Sequence, residues 1–515
     1  TGSPPCSPDP TGTDIPVAAR TTIRQWASWT AATAWAVSAA LLSIGTLSVC
    51  SGLIDLFKQG ADSPTLLIMG SAMVFAGILL VGRVQNPDNI RPADVLATTT
   101  LGVFLAVLLL AALYLLTGAI QSPDSALFEA TTGITTTALS VIDPRDLGYG
   151  LRFLRASSQW IGGFAALLTG IIVLPFFGFG REFTDRSNSA NHRPLVPDKW
   201  SGVRNIALLY IPCTVLVWFG YMLARKAPFE AALLAMSTLS TGGFTNSPTE
   251  FADPAVQWVA IAGMILAGSS LVTIWHLVRG GGRPHRQTGL MLYLGLHGVG
   301  VLLLALWATG PDLAGLRQGL FVVAASISTT GFPMSVPGNW APAAPVLLLL
   351  LISVGAMSGS AGGGLQVRQH RVLMKLAMRE MARQLHPRAV LKVRLAGRIA
   401  REETLRQIVV LQFLFVAVVF ATALLVAVLG LDLVGALSAA IHATATAGPV
   451  RTLSGEIVDP INWPSSVRMA LLPAMIFGRL SIYPAVLAIA ALVRIVGNRI
   501  RPRRRYLARR HRASS

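Results

Sequence analysis

Four short stretches rich in threonine, glycine and alanine recur along the chain, each between apolar segments long enough to cross a bilayer. Non-helical backbone at membrane depth must be buried in protein or line a wet cavity. Backbone carbonyls and hydroxyls are the groups that replace the hydration shell of a monovalent cation in an ion filter. The predicted ion-binding residues are Thr136, Thr137 and Ala138; Thr241, Gly242 and Gly243; Thr329, Thr330 and Gly331; and Thr446, Ala447 and Gly448.

These stretches, called loops 1 to 4 here, superpose on Ala138, Gly243, Gly331 and Gly448, which recur at intervals of about a hundred residues. Each loop follows an apolar stretch that is too short to span a bilayer and is typical of a re-entrant helix. The C-terminal end of such a helix carries partial negative charge, which favours a cation in front of it. The sequence therefore predicts four copies of one unit: span, short helix, extended loop, span.

The composition indicates what carries these loops. Hydrophobic residues make up 53% of the chain and charged residues 13%, with a mean hydropathy of +0.60, which excludes an ordinary soluble domain. Runs of about 20 apolar residues predict about ten membrane spans. The predicted organisation is a disordered tail at 1–19, two additional spans at 20–92, the four units at 93–180, 181–280, 281–400 and 401–497, and a basic tail at 498–515.

The net charge of +19 is concentrated in segments that flank the predicted spans. All of these basic segments fall on one side of the membrane if the spans alternate, so both termini are expected in the cytoplasm. Nucleic-acid binding is the weaker interpretation of this charge. Whether the basic segments bind a protein partner or anionic lipid stays open.

A glycine-rich segment follows the predicted span at 343–357, in the third unit only. No strand precedes the segment and no Lys-Ser/Thr pair follows it, which argues against a phosphate-binding loop. A flexible linker and a gate beneath the filter both stay open. The segment contains too much glycine to remain helical. Its residues are Gly359, Ser360, Ala361, Gly362, Gly363 and Gly364.

Arg479 interrupts an apolar run that extends from Met469 to Val493. A cation inside a span costs at least about 2.5 kcal/mol, so its side chain must face protein or water. Either it acts on the ion path, or it pairs structurally with a carboxylate or with loop carbonyls.

Several motifs resemble the superfamily of Trk, Ktr and plant HKT-type potassium transporters. They are Ser-Thr-Gly-Gly-Phe at 240–244, Ser-Thr-Thr-Gly-Phe at 328–332, Thr-Ala-Gly-Pro at 446–449 and Ser-Gln-Trp-Ile-Gly-Gly at 158–163. The resemblance covers residues 20–497, and the two additional N-terminal spans are most similar to the bacterial Trk pore subunit.

The resemblance implies an all-α polytopic protein of the bacterial inner membrane, with four pseudo-repeats around a central pore for potassium uptake. It implies a homodimer in the lipid bilayer, a separate cytoplasmic nucleotide-binding regulatory protein, and K⁺ as the transported ion with no cofactor bound by this chain. Residues 358–364 would form the intramembrane gating loop. Arg479 resembles an arginine below the filter, and we expect it to contact 358–364 when the pore is closed.

Ala138 departs from the family pattern, because potassium-selective members usually have glycine at this position. In plant relatives the loss of that glycine accompanies sodium permeation. A sodium-permeable or weakly selective pathway is therefore the alternative. An intramembrane enzyme is a remote alternative, because the loops offer no acid-base partner, and a membrane scaffold that retains the loops as relics is another.

Overall fold

The computed structural model describes residues 17–83, 92–170, 199–247, 249–278, 288–334, 340–389, 391–395, 398–400, 402–452 and 454–480. The predicted N-terminal tail as far as residue 16, the basic tail at 498–515 and the distal part of the last predicted span lie outside the described residues.

The described chain is almost entirely helical. One short antiparallel hairpin, β1 (Arg394–Leu395) and β2 (Arg398–Ile399), connects two of the helices. The helices are α1 (Val17–Phe57), α2 (Ser63–Arg83), α3 (Pro92–Leu116), α4 (Pro123–Thr135), α5 (Tyr149–Leu168), α6 (Lys199–Leu223), α7 (Pro228–Leu239), α8 (Pro254–Gly268), α9 (Leu271–Val278), α10 (Thr288–Leu304), α11 (Leu313–Ile327), α12 (Ala343–Val354), α13 (Val367–Leu385), α14 (Glu402–Val428), α15 (Leu433–Ala445) and α16 (Ser465–Arg479).

Six of the described helical segments, in α1, α2, α3, α6, α10 and α14, are long and apolar enough to cross a membrane. The segment in α10 extends through a π-helical turn at Ala305–Thr309. Other predicted spans are shorter than expected: α12 has 12 residues, and α8 ends at Gly268 before α9 begins. Helix α1 begins at Val17, so residues 17–19 are helical and do not belong to the predicted disordered tail. Alanine and arginine in this first turn are strong helix formers, which favours the longer helix.

A short helix of 12 to 15 residues precedes each of the four loops: α4, α7, α11 and α15. Helix α4 begins with Pro123 in its first turn, where a missing N–H costs no intrahelical bond. It ends at Thr135, and the left-handed conformation of Thr136 turns the chain out of the helix while the Thr137 N–H donates to the Thr132 carbonyl at 3.0 Å.

The helices are arranged in a circle around the loops. The helix that follows each loop packs against the short helix of the next unit: α5 against α7, α8 against α11, α12 against α15, and α16 against α4. The last of these contacts returns to the first short helix and closes the circle. Helices α1 and α2 pack against each other outside this circle, and α1 also contacts α3 and α5.

Asp55 at the end of α1 connects this outer pair to the circle. Its buried carboxylate accepts hydrogen bonds from the Gly150 N–H of α5 and the Asp62 N–H, both at 3.1 Å. It therefore caps the first turn of α5, where the neighbouring Gly148 has no side chain to do so.

Candidate functional site

The four loops meet in cyclic order around one point. A Cβ added to Gly243 would collide with the Thr330 carbonyl and lie 2.6 Å from the Ala138 Cβ. A Cβ on Gly331 would collide with the backbone of Gly448, and one on Gly448 would lie 2.8 Å from the Ala138 Cβ and 2.9 Å from its carbonyl oxygen. Loop 2 therefore touches loop 3, loop 3 touches loop 4, and loop 1 lies between loops 4 and 2.

The backbone conformation repeats from loop to loop. The first threonine of each loop is left-handed: Thr136 (φ 55°), Thr241 (55°), Thr329 (58°) and Thr446 (50°). The residue two positions later is also left-handed in three loops: Ala138 (61°), Gly243 (73°) and Gly331 (64°). Loop 1 therefore adopts the glycine conformation although a Cβ disfavours it by roughly 1–2 kcal/mol. Gly448 is not left-handed, and the close approach of Ala138 is what excludes a side chain there.

Buried hydroxyls distinguish loops 1 and 4 from loops 2 and 3. The hydroxyls of Thr136 and Thr446 are fully buried and have no hydrogen-bond partner among the described residues. In loop 2, Thr241 Oγ1 lies 2.6 Å from the Ser240 carbonyl and 3.1 Å from the Ala361 carbonyl. Buried polar groups without partners are uncommon in native structures and call for an explanation.

The remaining predicted ion-binding residues are also buried, except Ala138, which is partly exposed. The hydroxyls of Thr137 and Thr330 are each 2.7 Å from the hydroxyl two residues earlier in the chain. Ala447 has no exposed surface. The Gly242 carbonyl accepts a hydrogen bond from Gln159 Nε2 at 2.6 Å and is therefore engaged within the protein.

Gln159 of α5 fixes loop 2 from behind. Besides its bond to Gly242, its Oε1 accepts hydrogen bonds from Ser237 Oγ at 3.0 Å and from the Phe244 N–H at 3.3 Å. In the sequence this glutamine belongs to the motif at 158–163, but the motif alone does not indicate which atoms it contacts.

An ion pair that the sequence analysis does not single out lies behind loops 1 and 2. Arg155 Nε donates to Glu129 Oε1 at 2.8 Å, with 6% and 0% of the two side chains exposed. The signal for this pair was present in the sequence, because Glu129 lies in a short apolar helix and Arg155 in a predicted span. Charged residues at membrane depth are rare unless they are paired or functional.

The segment 358–364 lies against the side of the ring where the short helices end. The Gly363 N–H donates to Thr329 Oγ1 at 2.7 Å, and a Cβ on Gly363 would collide with the Ala445 carbonyl and with Thr446 Oγ1. Together with the Thr241 contact, this places the segment against loops 2, 3 and 4. In the rest of the segment, the Gly359 carbonyl accepts from the Leu271 N–H, Ser360 Oγ donates to the Met357 carbonyl, and Gly364 closely approaches Gly355.

Arg479 connects this segment to the first unit. Its guanidinium is buried and donates to the Ala361 carbonyl at 2.7 Å and to the Gly162 carbonyl at 3.2 Å. No carboxylate pairs with it among the described residues. Its partners among the described residues are therefore backbone carbonyls, one of them within the segment 358–364.

The chain that leaves the ring after loop 1 carries a paired acid. Hydrogen bonds from the Arg145 side chain, and from its backbone N–H, lower the pKa of Asp143 to about 2. Arg145 Nη2 is 2.6 Å from the carboxylate. Asp143 is therefore ionised at neutral pH, but its partner cancels much of the field that it would exert on a cation.

Comparison with known proteins agrees with this architecture. The TrkI potassium uptake protein of Halomonas elongata is 29% identical over 483 residues, which cover 90% of this chain and 95% of that protein. The TrkH potassium uptake protein of Escherichia coli is 26% identical over 385 residues, covering 70% and 78% of the two chains. The crystal structure of the potassium transporter TrkH from Vibrio parahaemolyticus matches 89% of this chain and 98% of its own, with a TM-score of 0.79 and 21% identity, which shows a shared fold.

The family-level match covers more than half of the sequence. The family described as TrkH, cation transport protein, matches residues 109–279 and 314–494, a region that contains all four loops, the segment 358–364 and Arg479. The chain therefore belongs to the TrkH family of cation transport proteins.

Proposed function

We propose that this chain conducts potassium ions across the cytoplasmic membrane into the cell, with loops 1 to 4 as its selectivity filter. The observation that carries the proposal is the closed ring, in which Gly243, Gly331 and Gly448 each leave no room for a Cβ. A ring of inward backbone oxygens can replace the hydration shell of a cation. The relatives from Halomonas elongata and Escherichia coli are named potassium uptake proteins, which supports potassium as the ion.

The proposed ion ligands are oxygens of the residues predicted from the sequence, without any further cofactor. The unpartnered hydroxyls of Thr136 and Thr446 support this assignment, because a dehydrated cation would satisfy both. In loop 2 we assign ion binding to Thr241 and Gly243, because the Gly242 carbonyl is already bonded to Gln159.

Sodium permeation is the second candidate, and Ala138 is the observation that favours it. Its methyl group lies within the ring, where the Cβ positions of Gly243 and Gly448 would be 2.6 and 2.8 Å away. Potassium stays the preferred ion because Ala138 retains the left-handed conformation of the glycines in loops 2 and 3.

The experiment is cation uptake into proteoliposomes that contain the purified chain, with Rb⁺ as the potassium analogue and Na⁺ as the competitor. We expect faster uptake of Rb⁺ than of Na⁺, and growth rescue of a potassium-uptake-deficient host at limiting K⁺. Ala138→Gly is expected to raise the Rb⁺ preference further. Failure of both assays while the protein is made and its partner is present would reject the potassium assignment.

We further propose that residues 358–364 form a gate that Arg479 holds closed, and that a cytoplasmic nucleotide-binding regulatory protein releases it. The chain would act as a homodimer with both termini in the cytoplasm. The contacts of the segment with loops 2, 3 and 4 support this role.

Arg479→Gln tests the gate. It removes charge-assisted hydrogen bonds to two carbonyls, so we expect several-fold faster Rb⁺ uptake without the regulatory protein. Arg468→Gln is the matched control: Arg468 lies on the same helix and pairs with Asp124 at 3.0 Å, away from the segment. The proposal would be contradicted if uptake by the Arg479 variant depended on the regulatory protein as strongly as uptake by the unmodified chain does.

A further inference from the structure

The Glu129–Arg155 ion pair is bonded to the chain that leaves loop 1. Glu129 Oε2 accepts a hydrogen bond from the Val141 N–H at 2.9 Å, and Ser140 Oγ lies 3.0 Å from Glu129 Oε1. Arg155 Nη2 also reaches Ser140 Oγ, at 2.8 Å. The pair therefore holds Ser140 and Val141, which stand two and three residues after Ala138.

The same arginine holds the chain that leaves loop 2. Arg155 Nη1 donates to the Thr245 carbonyl at 3.2 Å, and its guanidinium lies over the Phe244 ring at 3.6 Å from the centroid. A planar guanidinium can make both contacts at once, which an ammonium cannot. Loops 1 and 2 are thus fixed to a single buried group.

The ion pair occurs in the same unit as Ala138, which stands where the other three loops have glycine. Glu129 stands nine residues before Ala138, and the residues nine positions before the glycines of loops 2, 3 and 4 are Leu234, Val322 and Ala439. An acid therefore occurs at this position only in the unit whose loop has alanine, and not glycine, two residues after the first threonine. Glycine adopts the left-handed conformation freely, whereas alanine does not.

We propose that Glu129 and Arg155 are positioning residues that keep loop 1 in the glycine-like conformation despite Ala138, and so set the selectivity of the pore among monovalent cations. The inference rests on the proposed function, because selectivity presupposes that the ring conducts cations. Neither side chain is an ion ligand: the pair acts through Ser140 and Val141, and through the approach of loop 1 to loops 2 and 4.

The test compares Glu129→Gln alone and combined with Ala138→Gly, without truncating the chain. The glutamine keeps an oxygen for the Val141 N–H but leaves Arg155 without its anion. We expect the ratio of Rb⁺ to Na⁺ uptake in proteoliposomes to fall at least tenfold. We expect Ala138→Gly to restore it to within twofold of the ratio of Ala138→Gly alone, since a glycine needs no support in this conformation.

A second readout does not require transport. Binding of a cation to the folded protein raises its melting temperature, so the difference between the shifts produced by KCl and NaCl reports selectivity directly. We expect this difference to shrink in Glu129→Gln and to return in the double variant. Arg155→Lys is a milder variant, because it keeps the charge but loses the planar contacts. Its difference between the KCl and NaCl shifts is expected to lie between those of Glu129→Gln and the double variant.

Glu250→Gln is the control. Glu250 is also buried and pairs with Lys226 at 2.5 Å, but none of its hydrogen bonds reaches loop 1. Glu250→Gln should lower the melting temperature without changing the ratio of Rb⁺ to Na⁺ uptake or the difference between the KCl and NaCl shifts. A native ratio in folded Glu129→Gln or Arg155→Lys, or a lost ratio that Ala138→Gly does not restore, would overturn the role of the pair. Absence of Rb⁺ uptake by the unmodified chain with its regulatory protein present would instead reject the proposed function.

Discussion

The two sides of the ring are supported in different ways. Behind loops 1 and 2 lie buried polar side chains, Glu129, Arg155 and Gln159, each hydrogen bonded to atoms of the loops or of the chain that leaves them. Behind loops 3 and 4 lies a cavity. Its lining includes Val322, Phe332, Leu348, Ile352, Ser438 and His442, and the Ser438 hydroxyl has no hydrogen-bond partner in the described part of the chain.

Between the loops, by contrast, the closer contact is on the side of loops 3 and 4. Loops 3 and 4 meet backbone to backbone, at Gly331 and Gly448, whereas the meeting of loops 1 and 2 accommodates the Ala138 methyl group. The chains that leave loops 3 and 4 are also joined, because Arg451 donates to the Met334 carbonyl at 2.8 Å. We therefore expect loops 3 and 4 to tolerate changes behind them but not between them, and loops 1 and 2 to show the reverse.

Gly331→Ala is expected to have the largest effect, because it acts between loops 3 and 4. The left-handed φ of 64° disfavours alanine by roughly 1–2 kcal/mol. Its Cβ would also collide with the backbone of Gly448, which cannot move without displacing loop 4. Rb⁺ uptake should fall to background while the protein is still produced and inserted in the membrane.

Gly448→Ala sharpens this expectation, since that residue is not left-handed. Its Cβ would meet the Ala138 Cβ at 2.8 Å and the Ala138 carbonyl oxygen at 2.9 Å. Uptake should fall less than in Gly331→Ala and should recover partly when Ala138→Gly is added. Equal and unrecoverable losses in both variants would mean that the backbone contact between loops 3 and 4 is not the critical one.

Gln159→Leu tests the support behind loop 2. The substitution leaves the Gly242 carbonyl and the Phe244 N–H without partners, at about 1–3 kcal/mol for each unsatisfied group. We expect Rb⁺ uptake to fall roughly tenfold or more. Gln257→Leu is the control, because Gln257 is also buried and doubly bonded, to Phe251 and Arg317, outside the loops. Uptake per folded molecule should be unchanged in the control, and equal losses in the two variants would contradict the comparison.

The sequence predicts much of this site because its signals are local. A short apolar helix followed by threonine and glycine predicts a re-entrant helix and an extended loop, and the structure has a helix of 12 to 15 residues before each loop. The order of the loops around the ring and the partners of Gln159 depend instead on packing between distant elements. Gln159 and Gly242 are 83 residues apart in sequence, and nothing local to either residue indicates their hydrogen bond.

Ala138 shows the same limit in another form. Its Cβ predicts strain in a glycine position, but whether the loop adopts the left-handed conformation depends on what holds its neighbours. Glu129 and Arg155 hold these neighbours, and both lie outside the loop in sequence: Glu129 precedes it and Arg155 follows it. The loop residues alone therefore do not determine whether loop 1 keeps the left-handed conformation of loops 2 and 3.

Val322→Ile has the smallest expected effect and tests the side with space behind the loops. Val322 lines the cavity at the position that Glu129 occupies in the first unit. One more buried methylene stabilises by up to about 0.8 kcal/mol when space is available, so the melting temperature should rise slightly and Rb⁺ uptake should not change. Val107→Ile is the matched change in the filled cluster with Ala126 and Ala130, where overpacking costs about 1–3 kcal/mol. Equal destabilisation by the two substitutions would show that the wall behind loop 3 is as tightly packed as the wall behind loop 1.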